Sequence, residues 1–562
     1  MIEYVLRHHR TQAGTGFFAP TPAAPMHPQE ALDQLKAAPN DVFLRRFVIS
    51  RMGEMEPEDF DQLCAGAIQE APHAFQALLF ESALSHERFT GIAVRFEEEA
   101  DREALAEATP LPLIRATLLE EEASHTPWLG LLDQARETLT PLPRTIARGL
   151  PPPVDPDVAR AVLCPAATLP EAFAERFGVG KPAPAELPGP DEVVRMGLDA
   201  LARMGLSAEE EQRHQAALSP VNLLRKWHME VRVRQGGLDY ALSGGQTSYG
   251  KGLRLPQARA SLVMEMVERA SSYASITDDG PLGYTTPMGL VRGSYNELAD
   301  AGRIALRPDS LRLDTPSDHL SLLWVLGRDA GGGEILLPAQ LIFLFCNLDE
   351  PELATGHDST GLGAGVTMAQ ARLQGVCETL ERDAAALAVH DPSRCFLPVS
   401  DDPELATHLD ALRQAGVQPI LEDITSPFGV PAYRCVVRHQ DGEEVSWATA
   451  CHPSGPRAAV SALLETMYPF PGGEPSAQPP EGLAERRIED LPDHSTGDPE
   501  QDLALLEEVL TKSGHPPVYC DLTREDLALP VVRCLIPGLE NGQERRVGAR
   551  LYGAILRSLD AD

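Results

Sequence analysis

An α+β fold, built around a duplicated helix motif and preceded by a mostly helical N-terminal domain, is what this sequence predicts. Three observations point to it. Residues 1–145 space apolar side chains at helical intervals. Beyond about residue 193, strand-like and helix-like runs are mixed. Within that second region one motif occurs twice. At 562 residues the chain is too long for one compact core. The divisions expected are a helical domain at 1–145, a proline-rich linker at 146–192, an α+β domain at 193–545 and a C-terminal tail at 546–562.

The first region reads as helices at Pro28–Lys36, Asp41–Met52, Pro57–Ala71 and Pro72–Leu84, with three-and-four apolar spacing. Its acidic tract Glu97–Asp101 reads as a solvated helix face. Prolines 151–153, 156, 182, 184, 188 and 190 mark a linker or irregular wrapping segment. A helix at Glu192–Met204 follows. Lys226–Arg234 alternates apolar and polar residues as a strand does, and Gly244–Gly252 reads as a glycine turn into a helix ending near Ala274. Strands are expected at Leu320–Leu326, Glu334–Leu337 and Leu341–Phe345, with Gly331–Gly333 as a hairpin turn between the first two. A second glycine turn and helix run from Gly361 to about His390. Later strands are expected at Gln418–Asp423, Ala432–Arg438, Glu444–Ala450, Pro517–Asp521 and Pro530–Leu535. Helices are expected at Asp402–Ala415, Gly455–Met467 and Pro499–Lys512.

Composition excludes some functions. A net charge of −35 and a pI of about 4.8 disfavour nucleic acid and anionic membranes as partners. Nine cysteines, an odd number without Cys-x-x-Cys spacing, support neither a zinc site nor a disulfide framework; buried thiols are expected. The N-terminus has no apolar signal core, and the longest apolar run, Ile335–Cys346, is interrupted by Pro338 and Gln340. A cytoplasmic protein is the expectation.

The motif carries the chemistry. Its first copy is Gly250-Lys-Gly252-Leu-Arg-Leu-Pro-Gln257-Ala258-Arg259, followed by Glu265-x-x-Glu268-Arg269. The second is Gly363-x-Gly365-x-x-x-x-Gln370-Ala371-Arg372, followed by Glu378-x-x-Glu381-Arg382, and every matched residue is displaced by 113 positions. Ser261, Glu265 and Glu268 form one helical stripe; Gln374, Glu378 and Glu381 form its equivalent. For one helix alone, a solvent-facing stripe or pairing with Arg259, Arg269, Arg372 and Arg382 is the simpler reading. The duplication favours four carboxylates facing one point. Such carboxylates repel unless hard divalent cations are present, and magnesium held between carboxylates and phosphates is the usual use. That points to ATP chemistry without a Walker loop. Only five of the 48 basic Lys and Arg residues are Lys, so Lys251 in the first glycine segment stands out as a phosphate contact.

These blocks resemble the YcaO family. The resemblance rests on Ser248-Tyr-Gly-Lys-Gly252, Gln257–Ser261, Glu265-x-x-Glu268-Arg269, Ser359–Gly365, Ala371-Arg-x-Gln374-Gly375 and Glu378-x-x-Glu381-Arg382-Asp383. It rests also on Trp324 with Leu336–Ala339, and on Leu529–Glu540; it covers about residues 190–545. It implies that residues 193–545 form an ATP-binding catalytic domain that activates a backbone amide of a peptide or protein through phosphorylation. It further implies that Glu265, Glu268, Glu378 and Glu381 hold magnesium, that Lys251 and Arg382 meet phosphate, and that Ser261 and Gln374 line the ATP pocket. The chain departs from the family pattern at Thr360, Val366, Gln370 and Ser461, with Arg457 the candidate replacement for an arginine expected at 461. Azoline-forming members end in a proline-rich tail and this chain does not, so thioamidation or an accessory role in ribosomal-protein methylthiolation is expected over cyclisation. The alternative is a non-catalytic module of this fold that binds a peptide or partner enzyme. Expected partners are a peptide or protein substrate, a protein engaging the N-terminal helical domain, and a second copy in a homodimer.

Overall fold

The computed structural model describes residues 1–10, 16–119, 122–178, 180–313, 315–356, 358–440, 444–542 and 546–560. Its centre is a long antiparallel hairpin, Val221–Gln235 and Leu238–Gly252. The connection is the pair Gly236–Gly237; Gly236 has φ +54°, a conformation glycine adopts without a Cβ penalty. Alternation along the first strand buries Trp227, Met229 and Val233, the period-2 pattern its sequence predicts.

The first elements are strands, not helices. Ile2–Arg10 pairs antiparallel with Gly16–Pro22, and Ile2–Val5 runs parallel to Tyr240–Ser243, so the chain start joins the hairpin's sheet. Tyr4 and Leu6 alternate inward, and the Tyr4 ring packs edge-on against Phe43 and Tyr240. From residue 28 the expected helices form, at Pro28–Ala37, Val42–Met52, Pro57–Glu70 and His73–Ser85. One contiguous core runs from Leu35, Phe60 and Phe80 through Tyr240 and Leu242 to Met266 and Val325. The helical region therefore shares its core with the hairpin. The acidic tract at 97–101 does lie at the surface, around the end of helix Thr90–Glu99.

The second sheet runs in the order Glu334–Pro338, Leu322–Asp329, Val518–Asp521, Val531–Leu535, Leu362–Ala364. Leu322–Asp329 and Glu334–Pro338 form the expected hairpin around Gly331–Gly333. Leu341–Phe345, expected as a strand, is a turn instead. Pro338 ends the preceding ladder because it has no N–H, a 3₁₀ turn follows at Ala339–Leu341, and Phe345 takes φ +49°. A buried apolar run does not distinguish these outcomes by its pattern. The third sheet orders Val445–Cys451, Ala432–Arg438, Ile420–Asp423, Cys395–Val399 and Ala484–Arg487.

The two motif helices are Leu255–Ser272 and Met368–Leu387. The first lies on the long hairpin, and the second on strands Leu362–Ala364 and Val531–Leu535. The first also touches Leu362–Ala364, which makes the two copies neighbours. The proline-rich segment wraps the molecule. Its short helices Pro156–Val162 and Leu169–Phe177 pack on Ala549–Asp560 and Pro499–Lys512. Residues 546–560, expected as a tail, hold that helix Ala549–Asp560, with Leu551, Tyr552, Ile555 and Leu559 buried. At Gly553 a Cβ would stand 2.2 Å from Ala159 O, so the two helices cross in backbone contact. Residues 561–562 of that segment lie outside the described residues. Among the described residues no cysteine is bonded to another, and no helix is long and apolar enough to cross a membrane.

Candidate functional site

The glycine segments place the helices. Gly244–Gly252, expected as a turn, is the end of strand Leu238–Gly252. A Cβ on Gly250 would stand 2.1 Å from Ala258 O, and one on Gly252 2.8 Å from Ala258 N. The second copy repeats this: a Cβ on Gly363 would stand 2.3 Å from Ala371 O, and one on Gly365 2.7 Å from Ala371 N. Both pairs keep negative φ, so glycine is needed for close backbone approach and not for a left-handed turn. Each strand thus runs directly under the first turn of its helix. Leu262, Val263, Met266 and Ala270 face the core from the first helix, and Val376, Leu380 and Ala384 from the second. The Glu-bearing stripes are left to line a shared cleft.

The four glutamates meet there. Glu265 Oε2 accepts a hydrogen bond from Tyr249 N at 3.1 Å, tying the helix back to its strand. Glu268 lies 3.6 Å from Arg269. Arg382 lies 3.7 Å from Glu378 and 3.6 Å from Glu381, and Thr449 Oγ1 donates to Glu381 at 2.8 Å. Burial, then Glu268, pushes the Glu378 carboxyl well above the usual range, with Arg269 and Arg382 pulling it back. Burial raises Glu268 likewise, against Arg269 and Arg533. Glu265 and Glu381 both reach about 7; burial leads in each, opposed by Arg269 at Glu265 and by Arg382 at Glu381. Burial also works against the charge of Arg269, and Glu268, Glu265 and Glu378 together hold it on.

No three of these carboxylates bring oxygens within 4.8 Å of one another. Among the described residues that closeness is reached by His390, Cys395 and Glu422, where Glu422 is already bound by Arg434 at 2.7 Å and His390 at 3.0 Å. Arg269 and Arg382 stand among the glutamates as their counter-charges, at 3.6 Å from Glu268, 3.7 Å from Glu378 and 3.6 Å from Glu381.

The other predicted residues divide. Lys251 acts on Glu265 and Glu465, at one end of the cluster. Ser261 is exposed one turn nearer the helix start. Gln374 is also exposed and lines a separate cleft of about 250 Å³, shared with Val366, Gln370, His452 and Arg457. Arg457 therefore stands beside Gln374 and not at the carboxylates. Gln370 caps its helix: its Oε1 accepts from Val366 N at 2.9 Å.

Sequence reasoning missed three groups. Glu465, at the end of helix Gly455–Glu465, acts on Lys251 and Arg382; it is solvent-reached, although the cleft walls around it raise its carboxyl. Its signal was the position four residues beyond Ser461. Arg533 and Asp358 act on each other, and Arg533 on Glu268 and Glu378. Arg533 lies inside the late block Leu529–Glu540, which suggested a family and no role. Among the described residues six carboxylates (Glu265, Glu268, Asp358, Glu378, Glu381, Glu465) face four cations, Lys251, Arg269, Arg382 and Arg533.

The family of such a site is decided by a match over residues 249–472 and 467–540 to the YcaO cyclodehydratases, described as ATP- and Mg²⁺-binding. The chain belongs to the YcaO family. ATP and magnesium are its cofactors. It is 28% identical over 342 residues to an uncharacterised protein of Methanothermobacter thermautotrophicus, covering 54% of this chain and 85% of that one. It is 29% identical over 235 residues to a protein of the tfuA 3′ region in Rhizobium leguminosarum bv. trifolii, covering 38% of this chain and 53% of that one. Similar solved structures include YcaO of Methanopyrus kandleri bound with AMPPCP and Mg²⁺, at 22% identity and TM-score 0.45 over 62% of this chain and 91% of that one. A heterocyclase in complex with substrate and cofactor is similar at 18% identity and TM-score 0.48, over 64% and 54% of the two chains.

Proposed function

We propose that this YcaO protein uses ATP and magnesium to activate a backbone amide of a peptide or protein. The observation that supports this most is the surplus of enclosed carboxylate over cation on two helices of one repeated motif. Burial raises three of those carboxyls, Glu265 and Glu381 to about 7 and Glu378 well above its usual range, so a cation bound among them would favour their charged form. Oxygen donors with unmet negative charge fit a hard divalent cation. Glu265, Glu268, Glu378 and Glu381 would hold magnesium, and Glu465 joins them. Bound magnesium–ATP supplies the phosphoryl group and neutralises charge on it.

This chain's own residues supply orientation. Lys251 and Arg382, which share Glu465 as a neighbour, are the cations for phosphate oxygens. Tyr249 N fixes Glu265, and Thr449 fixes Glu381, so both carboxylates are positioned before a ligand arrives. Ser261 and Gln374 extend the stripes towards the ATP pocket. The finer reaction proposed is thioamidation, or an accessory role in methylthiolation, ahead of azoline formation.

The test is magnesium-dependent ATP binding and phosphate release, with mass spectrometry of peptides recovered from co-expression with the neighbouring genes. Exchange of oxygen for sulfur raises the peptide mass, whereas ring closure lowers it by one water. Tight ATP binding with no phosphate release under any of these conditions would move the protein to the non-catalytic reading.

A further inference from the structure

Arg533, like Arg269, is a cation of the cluster to which the proposed ATP chemistry gives no task, and it differs from Arg269 in having no ion-pair partner within 4 Å among the described residues. It sits on strand Val531–Leu535, opposite Leu362, and is 6% exposed. Its Nε and Nη1 are buried without a hydrogen-bond partner. Asp358, Glu378 and Glu268 act on it only electrostatically. A buried donor without an acceptor is costly, so an acceptor is missing. The same side chain lines a pocket of about 290 Å³ whose other walls include Leu313, Leu341, Ile536, Leu539 and Thr360. Thr360 Oγ1 is likewise buried without a partner. Two unmet donors thus border one pocket of mixed lining, with Arg312, Glu540 and Asn541 beside the apolar walls, next to the metal-type carboxylates.

We propose that this pocket receives the peptide substrate, with Arg533 and Thr360 hydrogen-bonding a backbone carbonyl while the neighbouring side chain enters the apolar walls. This rests on the amide-activating reading above. A neutral carbonyl oxygen has two lone pairs, so it can accept one N–H of the Arg533 guanidinium together with the Thr360 hydroxyl. A phosphate is the poorer occupant. Lys251 and Arg382 share Glu465 at the other end of the cluster, whereas Arg533 faces Glu268, Glu378 and Asp358, which oppose a dianion. Thr360 becomes the second substrate contact.

The experiment uses the full chain and a defined probe set: N-acetylated tripeptide amides with each ordinary residue in turn at the centre. Binding is read by ligand-observed NMR, with and without magnesium and AMPPNP, and AMPPNP affinity is measured separately by calorimetry. Expected is binding of a subset with apolar centres, weakened about tenfold or more by Arg533→Gln and severalfold by Thr360→Val. AMPPNP affinity should be no weaker in Thr360→Val, which removes no charge from the cluster. Thr360→Val removes only a hydroxyl, so it stands as the test should Arg533→Gln fail to fold. No binding by any probe, or binding that both variants leave intact, overturns the proposal. Loss of AMPPNP affinity in Thr360→Val overturns it too, assigning the pocket to nucleotide. Wild-type protein that binds peptides but not AMPPNP sinks the ATP reading alone and leaves the pocket standing.

Discussion

Glu265→Gln and Glu378→Gln test the cluster one carboxylate at a time. Each should abolish magnesium-dependent ATP binding in calorimetry. Neither should lower the melting temperature without ligand, because each replaces a carboxyl whose charged form burial already disfavours. Lys251→Ala should weaken ATP by about 1.5–3 kcal/mol, the usual range for a hydrogen bond to a charged group. Lys251→Arg should weaken it as well, since a fork cannot replace a compact ammonium without moving the strand end. Normal ATP binding in the arginine variant would remove Lys251 from the site. The pH dependence has a definite sign. Folding raises Glu265 and Glu381 from 4.5 to about 7, so the native state holds more protons than the unfolded chain between those values. Without magnesium, stability should therefore fall as pH rises through that window, and added magnesium should restore it most at the upper end. Melting curves at about pH 5 and about pH 7.5, with and without magnesium, check this. At this scale the glutamates were legible because the repeat announced them. Arg533 was not: its unmet donors exist only once a distant strand is laid beside Leu362.

Strand-to-helix contact is the element-level counterpart. Gly250→Ala and Gly363→Ala each drive a methyl into a helix carbonyl, and backbone has no rotamer with which to yield. Each should destabilise the protein by about 3 kcal/mol, the upper end for overpacking. Gly245→Ala, on the same strand with open space at its Cβ, should change little, and thermal unfolding separates the two outcomes. The sequence signalled these glycines but misdescribed them. A Gly-x-Gly ahead of a helix reads as a turn because turns are the commoner reason for glycine. Here the reason is close approach, which depends on what lies across the contact. The helices themselves were legible from their apolar spacing, as was the hairpin around Gly331–Gly333.

On the scale of the molecule, the proline-rich stretch remains the proposed boundary. Limited proteolysis is expected to cut in the exposed run 180–189 and to give a fragment of about residues 190–562. The pieces should still co-elute in gel filtration without denaturant, because Ile2–Val5 is hydrogen-bonded into the hairpin's sheet and the core is continuous across the cut. Separation of the fragments would contradict that sheet. The alternation of Tyr4 and Leu6 was present in the sequence. It was too short to outweigh the helical pattern after it, and its partner strand lies far along the chain. The proline-rich segment and the C-terminal helix were illegible for a related reason: each is ordered by the other.

Strand Leu238–Gly252 has one end beside the chain start and the other beneath the glutamates. Tyr240 also hydrogen-bonds Asn347 O at 2.9 Å, and Asn347 Nδ2 donates to Asp41 at 3.0 Å. The N-terminal helices and Lys251 are thus two ends of one stiff element. Any partner that grips those helices and changes how the strand sits would change ATP affinity by some factor. By thermodynamic reciprocity, ATP would then change that partner's affinity by the same factor.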